Sequence, residues 1–445
     1  MAEIVKRNET FRITVSLGRD SSGKKKRVST TFKPTRKSES AQWKEANEFA
    51  VIFEKQVRSG KAYDLNKVTF QGFAQQWREE WAASHLTQSQ VEQYQRTLER
   101  VIFPAIGSKQ LSKVSALDCQ AIINSAVKKG KAPKTVRRYV TAMNSVLRFA
   151  YKMNLIQENP VSRTELPKLQ KDTGLHYFNV KQAKEFIAAL DREFSFTREG
   201  HDCERKDGSI YHVGSYTVTH TVPLQLKAYF IIAIYSGFRR GEMIGLDWSA
   251  IDFEKKAITI RQAAANTESG EIIKGPKTES GYRSLILPEE CFTVLKEWKQ
   301  EQAAIKGELG SRWQGAADEE KQPVFIQENG RRMNLYTPGQ AFDRILHFYN
   351  EDIQRQIEEV QNNRSLTSET RQQKIKALEE EKFPIIRLHD LRHTSATLLI
   401  ASGMDIETIC HRMGHSEPSI TLNVYGHPME SQDDKASEIL GNLLG

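Results

Sequence analysis

The sequence predicts a multidomain fold in three parts. A small α+β domain is expected over residues 1–61, an all-α domain over 62–170, and a mixed, mainly-α domain with a small antiparallel β-sheet over 171–445. Three observations predict it. A chain of 445 residues is longer than one ordinary core organises. The apolar periodicity changes from strand-like to purely helical and then to a mixture. The charge divides along the same lines. Residues 1–61 hold 15 Lys and Arg against 7 Asp and Glu, residues 62–170 hold 16 against 8, and the remainder is net negative by 7 within a total of +9.

In the first part, alternation in Phe11–Leu17 and Arg27–Phe32 predicts two strands. The Gly- and Ser-containing turn between them carries Lys24, Lys25, Lys26 and Arg27. A helix follows, capped near Ser38 and ending at Gly60. A small sheet with such a basic hairpin can lie in a DNA major groove. In the second part, Val91, Tyr94, Leu98 and Val101 form one helical stripe. Val136, Val140, Met143, Leu147 and Ala150 form another, ringed by Lys134, Arg137, Arg138 and Arg148. Pro104, Gly107, Gly130 and Pro133 are read as breaks between helices, and Asn159-Pro160 followed by LPKLQKDTG as the domain's end. A cationic front suits a phosphate backbone as partner.

In the third part, LQLKAYFIIAIYSGF predicts a buried helix ending at Gly237, and AITIRQ, EIIKG and RSLILP three short strands. Two stretches look added to a compact domain. Residues 195–222 are polar, with a hairpin expected in YHVGSYTVTH. Residues 350–382 are highly charged, with Ile353, Ile357 and Val360 at helical spacing. The tail 433–445 reads as a helix whose apolar stripe (Ile439, Leu440, Leu443, Leu444) needs a partner surface.

Membrane and secreted classes are not expected. No apolar run is long enough to span a bilayer, and MAEIVKRNETF lacks an apolar h-region. Cys119, Cys203, Cys291 and Cys410 form neither a disulfide framework nor a CxxC pair, so a reducing cytoplasm is the expected setting.

Five fragments carry the chemistry: SGFRRGE (236–242), GPKTESGYR (275–283), HDLRH (389–393), MGH (413–415) and NVYGH (423–427). Within HDLRH, His389 and Arg392 are i, i+3, which puts two donors on one helical face beside Leu388 and Leu391. Together and in this order the fragments resemble the tyrosine recombinases, the phage and conjugative-transposon integrases. The resemblance covers nearly the whole chain. It makes the first part an arm-type DNA-binding domain, the second a core-binding domain and the third the catalytic domain. It places the catalytic arginines at Arg239 and Arg392, the hairpin lysine at Lys277, the histidines at His389 and His415, and the nucleophile at Tyr425. Glu242 matches the acidic residue after the first arginine. The implied partners are double-stranded DNA at core- and arm-type sites, a homotetramer on two paired sites, and an excisionase or host DNA-bending protein. No cofactor is implied.

The residue types suit that reaction. Attack on a phosphodiester builds charge on the non-bridging oxygens, and planar, permanently charged guanidinium groups clamp it. A phenol of pKa ~10 needs its proton removed, a role for His389. Lys277 can protonate the leaving 5′ oxygen. His415 is expected to donate to a phosphate oxygen and Glu242 to orient an arginine or histidine. A phosphotyrosine keeps the phosphodiester's free energy, and there is no GxxxxGK[ST] loop.

Three alternatives use the same residues. His389/His393 and His411/His415 are H-x3-H pairs that could hold zinc, as could His201, Cys203, His212 and His220. A non-catalytic DNA-binding regulator would keep the fold without the chemistry. A type IB topoisomerase would share the chemistry but have no use for the basic domain in front.

Overall fold

Residues 2–19, 25–34, 38–58, 68–153, 155–169, 176–267, 270–276, 281–415 and 419 are described by the computed structural model. The chain divides into two compact units, 1–171 and 172–445.

The first unit opens with an antiparallel sheet ordered β1 (Glu3–Arg7), β2 (Thr10–Arg19), β3 (Lys25–Phe32), followed by helix α1 (Glu39–Arg58). Ile13 and Val15, on one face of β2, meet Ala50, Phe53 and Val57 of α1 in a small core of their own. The sequence predicts two strands here and the structure has three. β1 was hidden because only Ile4 and Val5 of its five residues are apolar. Its turn to β2 uses Asn8 at φ 51, with Glu9 where glycine would have signalled a hairpin. Arg27 is exposed on β3, Lys25 and Lys26 begin that strand, and Lys24 lies outside the described residues.

The rest of this unit is helical: α2 (Phe70–Trp77), α3 (Ala83–His85), α4 (Gln88–Thr97), α5 (Ala116–Lys128) and α6 (Pro133–Lys152), with π-helical stretches at Arg78–Ala82 and Leu98–Gly107. Val136, Val140, Met143, Leu147 and Ala150 are all buried, as α6 periodicity requires. Leu98 is buried, and Val91, Tyr94 and Val101 pack partly against the same core. Pro104 does not separate helices: it lies inside the π-helical stretch, which continues directly from α4 and ends at Gly107. A proline in a helix usually breaks the α-helical ladder, but here the wider i→i+5 turn takes the place of that ladder.

The second unit holds α7 (Val180–Ala189), strands β4 (Phe194–Arg198), β5 (His201–Glu204), β6 (Ile210–Val213) and β7 (Tyr216–His220), then α8 (Leu224–Ser236) and α9 (Arg240–Gly245). Strands β8 (Ile251–Asp252), β9 (Ala257–Ile260) and β12 (Arg283–Ile286) form one antiparallel sheet ordered β12-β9-β8. β10 (Ala263–Thr267) and β11 (Gly270–Lys274) form a separate two-stranded ladder. Helices α10 (Glu289–Leu309), α11 (Thr337–Asn362), α12 (Ser368–Glu381), α13 (Asp390–Ala401) and α14 (Ile406–Met413) complete it. α8 is apolar on every side and runs through the middle of the main core.

Both supposed additions differ from expectation. The hairpin expected in YHVGSYTVTH does not form, since β6 and β7 pair with β5 and β4 instead, a nested ribbon. Asp207-Gly208, with Gly208 at φ 82, supplies the tight turn, whereas Gly214 only joins the two ladders. Residues 350–382 are not appended to the domain. They start inside α11, and Ile353 and Ile357 enter the main core. The returning α12 buries no residue fully. Among the described residues, no helix is long and apolar enough to cross a membrane.

Candidate active site

Gly237 sets the frame. It ends α8 in the left-handed region at φ 64, and a Cβ there would stand 2.5 Å from Met413 Cε. The turn it permits delivers Arg239 as the N-cap of α9. Arg239 is tied to Glu242 twice: its backbone N–H donates to Oε2 and its Nη1 to Oε1, both at 2.8 Å.

The second frame is the C-terminus of α14. A helix leaves its last carbonyls without intrahelical partners, and here each can be accounted for. Gly414, at φ 63, turns the chain so that its own N–H donates to the His411 carbonyl and the His415 N–H to that of Cys410, both at 3.0 Å. The next three carbonyls each accept from a different arginine. Arg283 Nε reaches Arg412 at 2.9 Å, Arg392 Nη2 reaches Met413 at 2.5 Å, and Arg239 Nη2 reaches Gly414 at 2.9 Å. The negative end of the helix dipole favours cations at this place. Arg392, itself buried, also donates from Nη1 to the Gly237 carbonyl at 2.6 Å.

Glu242 is the buried counter-charge. Arg283 reaches Oε2 at 2.7 Å and Oε1 at 3.3 Å. Burial pushes its carboxyl upward, but the hydrogen bond and charge of Arg283, with those of Arg239, outweigh it and hold Glu242 below the usual carboxylate range.

The histidines stand in the field of these arginines. His415 Nε2 is 2.9 Å from Arg392 Nη2. Desolvation, then Arg392, Arg239 and Arg283, push its pKa down to about 4. His389 is the N-cap of α13, so the expected i, i+3 spacing with Arg392 holds. Desolvation, then His393, Arg392 and Arg239, push His389 down to about 4 as well. Both shifts favour neutral rings at pH 7, and since arginine only donates, His415 Nε2 accepts from Arg392 and leaves Nδ1 to carry the ring proton.

The structure thus brings together Arg239, Glu242, His389, Arg392 and His415. Lys277, Tyr425 and residues 433–445 lie outside the described residues. One participant was missed: Arg283, whose side chain is fully enclosed. The signal was present, because Arg283 alternates with buried Leu285 and Leu287 and so occupies an inward position of its strand. Of the basic residues singled out on α6, Lys134 and Arg138 are exposed, while Arg137 is half-buried and turns Nη2 to the Pro167 carbonyl at 3.3 Å.

His389 and His393 lie close, with ring centroids 5.3 Å apart, but the other pairings considered for zinc do not come together. The left-handed turn at Gly414 separates His415 from the helix that carries His411, which is exposed. His212 pairs with Asp202 at 2.7 Å, and His220 stacks on Phe348 at 4.6 Å. Among the described residues, no group of three or more His, Cys, Asp and Glu is placed to hold a metal ion.

The arrangement, then, is a cluster of cations with one carboxylate, two neutral imidazoles and geometry fixed by main-chain acceptors. Such an arrangement has the chemistry to receive an oxyanion. A model described as the phage integrase family matches residues 210–432, and one described as the phage integrase central domain matches 70–166. The chain is 24% identical over 451 residues to the tyrosine recombinase XerC-like protein of Caldanaerobacter subterraneus subsp. tengcongensis, covering 98% of this chain and 97% of the relative. It is 22% identical to the ICEBs1 integrase of Bacillus subtilis, over 71% of this chain and 67% of that one. The Tn1549 transposon integrase, solved with transposon right end DNA, has a TM-score of 0.58 at 20% identity, covering 85% of this chain and 100% of its own. A lambda integrase dimer bound to a COC′ core site has 0.50 at 14%, covering 95% and 94%. At these identities the structural likeness is one of fold.

Proposed function

Because the chain belongs to the phage integrase family of tyrosine recombinases, and is thus a site-specific recombinase of mobile elements, we propose that it cuts and rejoins DNA through a covalent 3′-phosphotyrosine at Tyr425. The observation that carries this reading is the seating of Arg239 and Arg392 on adjacent carbonyls of one helix end, beside neutral His389 and His415. The nucleophile follows ten residues after His415 in the chain.

Arg239 and Arg392 grip the non-bridging oxygens of the scissile phosphate, and the main-chain acceptors keep them aimed before DNA arrives. His389, neutral at pH 7, takes the phenolic proton as Tyr425 Oη bonds to phosphorus. The bond to the 5′ oxygen breaks, and Lys277 supplies the proton that makes it a 5′-hydroxyl. His415 donates to a phosphate oxygen, and Glu242 orients Arg239. One phosphodiester replaces another, so a 5′-hydroxyl from a second duplex reverses the steps without nucleotide.

In this reading residues 62–170 are the core-binding domain and residues 1–61 the arm-binding domain, each on double-stranded DNA. Lys24, Lys25, Lys26, Arg27, Lys134, Arg137 and Arg138 contact it, in a homotetramer on two paired sites, in the cytoplasm. Residues 433–445 dock on a neighbouring protomer, and an excisionase or host DNA-bending protein sets direction. Both solved relatives named above hold DNA, which supports the partner class.

Covalent trapping tests the proposal. Protein is mixed with a nicked fragment from the parent element's end, in EDTA, and resolved on a denaturing gel, wild type beside Tyr425→Phe. An adduct that needs Tyr425 and ignores EDTA is expected. DNA binding without any adduct would instead mark a regulator that retains only the fold.

A further inference from the structure

Arg283 has no part in the chemistry above, yet it is as buried as Arg392, each 4% exposed as a whole residue. Its side chain is 0% exposed. Every nitrogen is engaged: Nε with the Arg412 carbonyl, Nη1 with Glu242 Oε1 and the Gly281 carbonyl, and Nη2 with Glu242 Oε2. Its guanidinium carbon lies 5.0 Å over the Phe238 ring, next to Arg239 in the chain. A cation so placed cannot reach DNA. Burying it without function would be costly, and breaking such a buried pair more so.

Its bonds run in two directions, and both lead to the phosphate clamp. On one side is Glu242, which holds Arg239 by its backbone and by its guanidinium. On the other is the Arg412 carbonyl, which precedes the two carbonyls that seat Arg392 and Arg239. We propose that Arg283 is a positioning residue for strand cleavage: it aims Arg239 through Glu242 and fixes the end of α14 on which Arg239 and Arg392 rest. This rests on the recombinase reading of those two arginines. The charged groups facing Glu242 are Arg239, at the start of its own helix, and Arg283 from β12.

The test uses the full chain and the nicked DNA substrate at saturating concentration, with adduct formation followed in single turnover from pH 5.5 to 8.5. Arg283→Met is expected to slow adduct formation ~100-fold at pH 7.5, the loss typical of a misaimed oxyanion donor. It should also add an acid limb, because Glu242 without Arg283 takes up a proton more readily and then releases Arg239. Arg283→Lys keeps the charge; it should stay within ~10-fold of wild type and show no new limb. Since Arg283 acts partly through Glu242 and partly through the end of α14, the double variant with Glu242→Gln should lose less than the product of the two single losses.

Wild-type rate and pH profile in Arg283→Met, or a double variant whose loss is the product of the two singles, would overturn the positioning role alone. If Arg283→Met does not fold, as read from its melting transition, Arg283→Gln takes its place, read by the same rate loss, acid limb and additivity criterion. A wild-type chain that yields no Tyr425-dependent adduct overturns the recombinase reading, and the positioning role with it.

Discussion

The two units place their cations in opposite ways. On α6 of the first unit, Lys134 and Arg138 stand exposed on the polar side of a helix whose other face is the core. In the second, Arg283 and Arg392 are buried and bonded to carbonyls, with Arg239 between these extremes at 40% side-chain exposure. Exposed cations are screened, mobile and tolerant of where a phosphate lies. Buried ones are costly to enclose and are held in place by the partners that satisfy them. The first arrangement suits holding many phosphates, and the second suits acting on one.

Arg392→Ala should break this contrast most severely. It strips partners from the Gly237 and Met413 carbonyls and from His415, and removes one of the two arginines proposed to grip the phosphate. Adduct formation is expected to fall at least ~1000-fold, while binding of long DNA persists through the first unit. An adduct rate within tenfold of wild type would show that this arginine is structural only.

Gly237→Ala comes next. It forces a Cβ into the left-handed region and against Met413 Cε, so a loss of ~1–3 kcal/mol in unfolding free energy is expected, with slower adduct formation because the Gly237 carbonyl aims Arg392. Denaturant unfolding measures the first and trapping the second, and stability unchanged would mean that the turn relaxes freely.

The histidines give a pH signature. In the unfolded chain both imidazoles protonate near 6.5, whereas in the folded one His389 and His415 stay neutral until about 4. As pH falls through that window the unfolded state binds more protons, so these two residues lower stability. Melting temperatures of the DNA-free protein should therefore fall less steeply between pH 6.5 and 4 in a His389→Gln, His415→Gln double variant than in wild type. Parallel curves would sink the claim.

The smallest effect is expected on the exposed side. Lys134→Ala and Arg138→Ala should each weaken DNA binding a few-fold and lower the slope of log affinity against log salt by ~0.9, leaving the adduct rate at saturation unchanged. A rate effect at saturating DNA would mean that the two kinds of cation are not separable.

Much of this was legible in the sequence because it is local. The burial of Val136, Val140, Met143, Leu147 and Ala150 follows from a 3.6-residue period, and the end of α8 from one glycine. What was not legible depended on partners far away in the chain. YHVGSYTVTH has a glycine where a hairpin could turn, yet better-matched strands upstream captured both halves. Pro104 looked like a break because propensity assumes the α-helical ladder, which the chain does not use there.

For the site, the sequence by itself determined which groups are available and in what order: Arg239, His389, Arg392 and His415 in short fragments, and Tyr425 ten residues beyond His415. Tertiary structure alone decided what holds them. Beside Glu242 and His415, which the fragments mark, the acceptors of Arg239, Arg283 and Arg392 are main-chain carbonyls, which every residue carries and no motif marks. Arg283 meets Arg412 across 129 positions of chain. Side-chain chemistry is written residue by residue, but a carbonyl becomes a specific partner only when a helix ends in the right place.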